Sequence, residues 1–348
     1  MDSVDNFRRH EGGAMKELHL LDANERRLFF QAAADESKIP FEIIEKDFWV
    51  VWTLEKLFSL TDLKEHLTFK GGTSLSKVYG VIQRFSEDID LSIEKHFLGS
   101  EDPEKAASGK KRRAALDKLS QACSAYVQTE LYAVLEEAIA ASLGRTRTWQ
   151  LAVDSEDSDG QTLQFEYPST TPKGGYIRPS VKIELGARSE HWPVSNHKIQ
   201  SYIKATLKQK VVEQEVVVKV LNAERTFWEK ATILHQYAHL PENKALPARI
   251  SRHHYDFFCL LNSDIKAKAV AEQSLLERVA IHKSVYFASA WANYETARKG
   301  TLKLSPPTRI AADLKRDFSL MKDMFFGAIP EWDDVLGLIS AFETDFNR

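Results

Sequence analysis

The stretch that most constrains this chain is residues 69–93, FKGGTSLSKVYGVIQRFSEDIDLSI. It reads as a short apolar strand, a tight turn at Gly71-Gly72, a short helix opening at Thr73 and Ser74, and a second strand. The glycines give the backbone freedom and leave no side chain in the way of a ligand. A helix start presents unpaired N–H groups to an anion. In the second strand Asp88 and Asp90 alternate with Ile89, Leu91 and Ile93, so both carboxylates fall on one face. Two acids aimed into one small volume, beside a turn suited to phosphate, predict a site for a divalent metal and a nucleoside triphosphate. Taken singly, a Gly-Gly pair is a turn and an Asp-x-Asp a solvated strand edge. Their order and spacing favour the site. The stretch lacks both G-x-x-x-x-G-K-[ST] and G-x-G-x-x-G, which excludes a P-loop and a dinucleotide fingerprint.

The surrounding pattern is mixed. Helical periods run from Asn24 to Lys38 and, after Pro40, from Phe41 to Leu60. The second is apolar on more than one face and predicts burial, with Glu45, Lys46 and Asp47 as a charged island read as a solvated face or an ion pair. Residues 1 to about 20 read as a loosely held, charged lead-in. A helix is expected over 114–143, ended by Gly144, with the basic run Lys110–Arg113 before it. Period-two alternation marks strands at 149–153, 163–167 and 180–186, and again within 211–221. In the 180–186 strand Val181, Ile183 and Leu185 share one face, and Lys182 and Glu184 the other. From Asn222 onward the pattern is helical, with helices expected at 223–239, through ARISRHHYDFFCLL, and over 265–298, 308–325 and 331–346. The fold class expected is α+β, a mixed-sheet core over residues 1–220 and a helical domain over 221–348 that contributes to the site.

Nucleotidyl transfer uses a divalent ion, or two about 3.5–4 Å apart, to bridge the triphosphate and activate the attacking hydroxyl. Hard Mg²⁺ takes carboxylates and phosphate oxygens, a role that Asp88 and Asp90 fit. Glu184, on the polar face of its strand, is a candidate third metal ligand. Catalysis then rests on positioning and charge neutralisation, so cations near the leaving pyrophosphate are required. Lys230, Arg249 and Arg252 are candidates by composition. Gly71, Gly72, Thr73 and Ser74 form the candidate phosphate seat, with Lys77 on the same short helix as a further triphosphate contact. His253 and His254 lack an H-x-x-x-H spacing and read as surface or packing residues.

Composition narrows the class. The 348 residues suffice for one large or two ordinary domains. Net charge is −3, so any polynucleotide contact must come from a local basic surface. Cys123 and Cys259 are two lone thiols without a C-x-x-C, which points to a reduced compartment and no structural zinc. The N-terminal MDSVDNFRRHEGG is polar and has no apolar h-region, so no signal peptide is expected, and no run approaches the ~20 residues that span a bilayer. The expected location is cytoplasmic.

Several separated motifs together resemble the nucleotidyltransferase toxins of the AbiEii/AbiGii abortive-infection family. They are FKGGTSLSKVYGVIQRFSEDIDLSI, IEKDFWVVWTLEKLF, ERTFWEKATILHQYAH, SRHHYDFFCLL and MKDMFFGAIPEWDDVLGLI. The likeness covers roughly residues 36–346. It implies a DNA polymerase β-type nucleotidyltransferase core and a toxin neutralised by a winged-helix antitoxin encoded nearby. Residue by residue, Gly72 and Ser74 match the phosphate-binding element, and Asp88 and Asp90 the metal-binding pair. Lys230 matches the family's later lysine. Asp256, in an H-H-Y-D that replaces the usual H-Y-Y-D, matches its final aspartate. If Glu184 is not a metal ligand, Asp256 is expected to act as general base or to complete the acidic cluster, a carboxylate close to others having its pKa raised.

The activity implied is Mg²⁺-dependent transfer of a nucleoside monophosphate from an NTP to an RNA acceptor, tRNA foremost. Two alternatives stand beside it: the same fold nucleotidylating a protein, and a non-catalytic nucleotide-binding module.

Overall fold

The computed structural model describes residues 17–86, 88–171 and 178–348. The lead-in before Glu17, Glu87 and most of the TTPKGGY link lie outside the described residues. Helix α1 (Ala23–Ser37) starts at Asp22, whose carboxylate accepts from the N–H groups of Asn24 and Glu25 while Glu25 accepts from that of Asp22. Pro40 opens α2 (Phe41–Ser59). Strand β1 (Leu67–Lys70) runs straight into α3 (Gly71–Lys77), and β2 (Asp88–Ile93) follows. Helix α4 (Gly109–Tyr126) takes the basic run into its exposed first turns and continues through a π turn into α5 (Tyr132–Leu143). Then come β3 (Gln150–Val153), β4 (Thr162–Glu166), β5 (Ser180–Gly186), β6 (Val194–Ile199), α6 (Tyr202–Leu207) and β7 (Val216–Leu221). The rest is helical: α7 (Ala223–Ala238), α8 (Ser251–Leu261), α9 (Ile265–Ala271), α10 (Gln273–Tyr286), α11 (Thr308–Leu320) and α12 (Trp332–Asn347).

The strands form one seven-stranded sheet in the order β3-β4-β5-β2-β1-β7-β6. The β1–β7 and β2–β5 pairs are parallel and the others antiparallel. This is the expected α+β architecture with a mixed sheet and a helical C-terminal part. Three details differ from expectation. The helix expected over 265–298 breaks at Glu272 and ends at Tyr286, and Asn293 beyond it takes a left-handed backbone that no helix continues through. Strand β6 went unread because VSNHKI carries a polar, edge-strand pattern with one neighbour only. The Gly-Gly turn is instead the first turn of α3, entered with Gly71 at φ +77°.

Alternation on the central strands sorts the sheet's two faces. Ile89 and Leu91 of β2 and Ile183 of β5 are buried under α2, whose Trp49 stacks on Tyr167 at 5.5 Å and meets Phe165 edge-on. Asp88, Asp90, Lys182 and Glu184 point to the other face. The apolar core forms two clusters. One joins α1, α2, α4, α5 and the sheet; the other joins α7 to α12 with Leu75 and Ile82. Along the chain the main change falls between Val220 and Ala223, with Val285 and Tyr286 of α10 packing back into the first cluster.

The charged island of α2 is not solvated. Glu45 accepts from Ser169, Thr170 and Thr171 and so clamps the loop after β4. Asp47 pairs with Lys77 and accepts the Tyr202 N–H at 2.6 Å, while the Lys77 ammonium lies 3.3 Å from the Tyr202 ring centre. Lys77 is thereby buried in a structural pair that fixes α3 on α2. Removing one partner of such a pair leaves a buried charge, which costs about 3–5 kcal/mol. Lys77→Met is expected to lose about that much stability by urea denaturation, with NTP affinity of the folded protein unchanged.

Candidate active site

The site begins with strand register. Asp90 of β2 stands between Lys70 of β1 and Glu184 of β5, and Asp88 stands beside Lys182. Directly opposed side chains lie about 4.5–5.5 Å apart at Cβ, so Asp90 has a lysine on one side and a glutamate on the other, and Asp88 a lysine beside it. The Lys182 ammonium lies 3.1 Å from Glu184 and 3.5 Å from Asp154. Burial works against its charge, but Glu184 and Asp88 hold its pKa above the ordinary lysine value.

Gly71 and Gly72 are required by close approach. A Cβ on Gly71 would lie 2.0 Å from the Asp90 carboxylate, and one on Gly72 2.8 Å from the Arg84 guanidinium. Thr73 donates to the Asp88 carbonyl at 2.6 Å and ties α3 to the start of β2. Ser74 is buried and donates to the Gly71 carbonyl at 2.9 Å. The two glycines line the cleft; the Thr73 and Ser74 hydroxyls brace it from behind.

Facing the acids is a cluster of cations held by one buried acid. Asp256 of α8 accepts two bonds from Arg84, Nε at 2.7 Å and Nη2 at 2.9 Å, and one from Lys230 of α7 at 2.7 Å. Burial works to raise the Asp256 pKa, but Arg84 and Lys230 hold its carboxyl well below the usual carboxylate range. The expectation of a pKa raised by neighbouring carboxylates is therefore overturned, because the neighbours are cations, and that ground for a general base falls with it. Burial also works against Arg84, and Asp256 restores its charge. Burial lowers the Lys230 ammonium, opposed by Asp256. Lys230 donates to His253 Nδ1 at 3.2 Å, and burial beside Lys230 and Arg252 pushes the His253 ring well below its ordinary pKa.

These groups enclose a cleft of about 390 Å³, within the usual range of ligand pockets, roughly 300–1,000 Å³. Lys70, Gly71, Gly72, Asp88, Asp90 and Glu184 form its sheet side. Arg84, Thr226, Glu229, Lys230, Arg252 and His253 form the other. Of the expected site residues, Lys77 lies outside, in its pair with Asp47, because it falls on the far side of α3. Arg249 also lies outside this cleft, while His253, read as a packing residue, lines it. Arg84, buried and central, was not among the expected site residues. Its one sequence signal is its place just before the acidic strand. Segment 83–85 pairs with 324–326 through Phe85 N–H to Met324 (2.6 Å) and Phe326 N–H to Gln83 (3.1 Å), which turns Arg84 inward. Among the described residues no group of three or more Asp, Glu, His or Cys is arranged to hold a metal by itself.

A sheet that turns acids toward helix-borne cations suits one class of protein, the nucleotidyltransferases. The family model for the nucleotidyl transferase AbiEii toxin of type IV toxin–antitoxin systems matches residues 52–338. The chain belongs to that family. Two solved structures are similar. One is MenT4, a nucleotidyltransferase toxin from Mycobacterium tuberculosis H37Rv, at 16% identity and a TM-score of 0.44, over 91% of this chain and 96% of that one. The other is JHP933 from Helicobacter pylori, at 10% identity and a TM-score of 0.40, over 87% and 93%. Comparison with curated proteins returns no match.

Gly71→Ala is expected to displace Asp90 and cost on the order of 10²-fold in turnover, since a 1 Å misplacement at a reacting site has that effect; steady-state rates check it. Asp256→Asn leaves two buried cations without their counter-charge, at about 3–5 kcal/mol. Because the folded Asp256 pKa is depressed, its stabilisation is full above the ordinary value of 3.8 and is withdrawn as pH falls below it. Denaturation midpoints of Asp256→Asn should lose that acid-side dependence.

Proposed function

We propose that the cleft binds an NTP with Mg²⁺ and transfers its nucleoside monophosphate to the 3′ hydroxyl of an RNA acceptor, tRNA foremost. The observation that carries this reading is the facing of Asp88 and Asp90 by Arg84, Lys230 and Arg252 across one cleft. The donor set is all oxygen, and Mg²⁺ is held by one or two carboxylates completed by substrate phosphates and water. Asp88 and Asp90, with Glu184 beside them, fit that demand. The ion, when bound, supplies charge neutralisation at the triphosphate and lowers the pKa of the attacking hydroxyl.

The chain's own groups do the rest. Gly71 and Gly72 let the triphosphate approach the backbone. Lys230 and Arg252 neutralise charge as the acceptor oxygen bonds to the α-phosphorus and the bond to the pyrophosphate oxygen breaks. Arg84 adds positive potential from behind, and Asp256 orients both Arg84 and Lys230. Residues 1–220 carry Asp88, Asp90 and Glu184 with Lys70, Arg84 and Lys182, and residues 221–348 add Lys230 and Arg252, so on this reading both parts of the chain contribute to the site. As a toxin of this family the protein has an antitoxin partner, for which we propose a winged-helix protein. No helix among the described residues is long and apolar enough to cross a membrane; we propose a cytoplasmic site of action.

Incubation with total RNA and each α-labelled NTP should label RNA with at least one nucleotide, and Asp88→Asn should abolish labelling and toxicity. An unimpaired Asp88→Asn variant would sink the mechanism. Label recovered on protein instead of RNA would move the acceptor to a protein side chain.

A further inference from the structure

Beyond Asp88 the polar face of the sheet opens into a second cleft, of about 380 Å³, which shares Asp88 and Lys182 with the first. We propose that it seats the acceptor strand: the last phosphodiester and ribose of a single-stranded RNA 3′ end, delivered to Asp88 from the side opposite the NTP. This rests on the RNA-acceptor reading above and adds where the acceptor lies and what holds it.

The first ground is geometric. In phosphoryl transfer the attacking and leaving oxygens stand roughly in line across the phosphorus. A transferase therefore needs two approaches that meet at its acids, and these two clefts meet at Asp88. The second ground is chemical. Lys46, Arg178 and Arg249 bring positive charge, and Gln164 and Ser180 bring hydrogen-bonding groups. No aromatic side chain lines this cleft among the described residues. Single-strand binders that grip bases do so by stacking on aromatic rings, so a wall like this one reads phosphate and ribose and leaves the bases unread. Asp154 and Glu156 at the rim offset part of the charge, which suits one or two phosphates at a strand end better than a duplex.

The third ground is Arg249 itself. Its backbone stands at φ +63°, a left-handed conformation that costs a residue with a Cβ roughly 1–2 kcal/mol. Asp317 of α11 holds it there, accepting the N–H of Arg249 at 2.7 Å and the N–H and hydroxyl of Ser251 at 2.9 and 2.6 Å. The exposed guanidinium so placed makes no hydrogen bond or ion pair among the described residues. The approach to α8 thus divides its cations, Arg249 to the second cleft and Arg252 to the first. Lys46, a residue only 2% exposed on a helix that otherwise buries mostly apolar groups, lines the cleft with its ammonium 5.8 Å from the Phe85 ring centre.

The test is Arg249→Gln in the full chain, with Arg178→Gln as an independent second variant. Both side chains are exposed, so thermal midpoints should match the parent protein. Binding of a labelled single-stranded RNA oligonucleotide with a free 3′ hydroxyl is followed by anisotropy without NTP, and NTP binding is measured separately. The expected result is RNA affinity about 5- to 10-fold weaker in Arg249→Gln, with NTP affinity within about twofold. The log–log salt slope for RNA should also become shallower by about 0.7, the value of one lost phosphate contact on a single strand. Arg249→Lys should recover most of the loss. Unchanged RNA affinity in both variants, or weaker NTP binding with RNA binding intact, overturns the proposal. A parent protein that binds RNA through Arg249 but labels none would refute the RNA-acceptor reading, and with it the acceptor role of this cleft, while leaving its RNA binding standing. Neither binding nor labelling of RNA would overturn both.

Discussion

The site depends on a buried carboxylate that holds two cations. Asp256 is fully buried, with Arg84 and Lys230 both within hydrogen-bonding distance of it. Buried ion pairs contribute little net stability, because desolvation cancels most of their attraction. The worth of this trio lies in its surplus. Two cations on one anion leave a net positive charge in a low-dielectric wall, aimed at a cleft whose opposite wall is acidic. Charge fixed in advance where charge develops in a transition state needs no reorganisation when reaction occurs. The arrangement also couples the two apolar clusters, since Arg84 comes before β2 and its partners come from α7 and α8.

The sheet supplies the complementary half through register alone. One alternation buries Ile89, Leu91 and Ile183 and exposes Asp88, Asp90 and Glu184. A slip of one residue would bury the carboxylates and expose the core. The packing of Trp49, Phe165 and Tyr167 beneath the sheet therefore also holds the acids in place. The Asp47–Lys77 pair does the same for α3, and so for the approach of Gly71 to Asp90.

Much of this was legible in the sequence because it is local. Alternation over Asp88–Ile93 and Ser180–Gly186, the apolar run of α2 and the stripe of α7 each declare themselves within a few residues. What escaped is what requires two distant segments. Lys77 lies six residues past Gly71, and at about 100° per residue that places it well around the helix from the cleft; closeness in sequence was no guide. Arg84 and Asp256 were each visible, but their pairing across 172 positions was not. So Asp256 was read with carboxylate neighbours when its neighbours are cations. Strand β6 escaped because a polar edge strand is defined by its partner more than by its own pattern. The family resemblance supplied Lys230 and Asp256 as important positions, and the packing supplied what each does.

The span between Arg84 and Asp256 also sets a timetable. At a synthesis rate of about 5–20 residues per second, the 172 positions separating them take roughly ten to thirty seconds to make. During that interval the remaining strands are made, though Val285 and Tyr286 of the first apolar cluster come later still. The emerging chain lacks the lysine and the carboxylate that complete the opposite wall. For a protein of a toxin family, α7 and α8, which carry Lys230, Arg252 and Asp256, decide when the cleft gains its far wall.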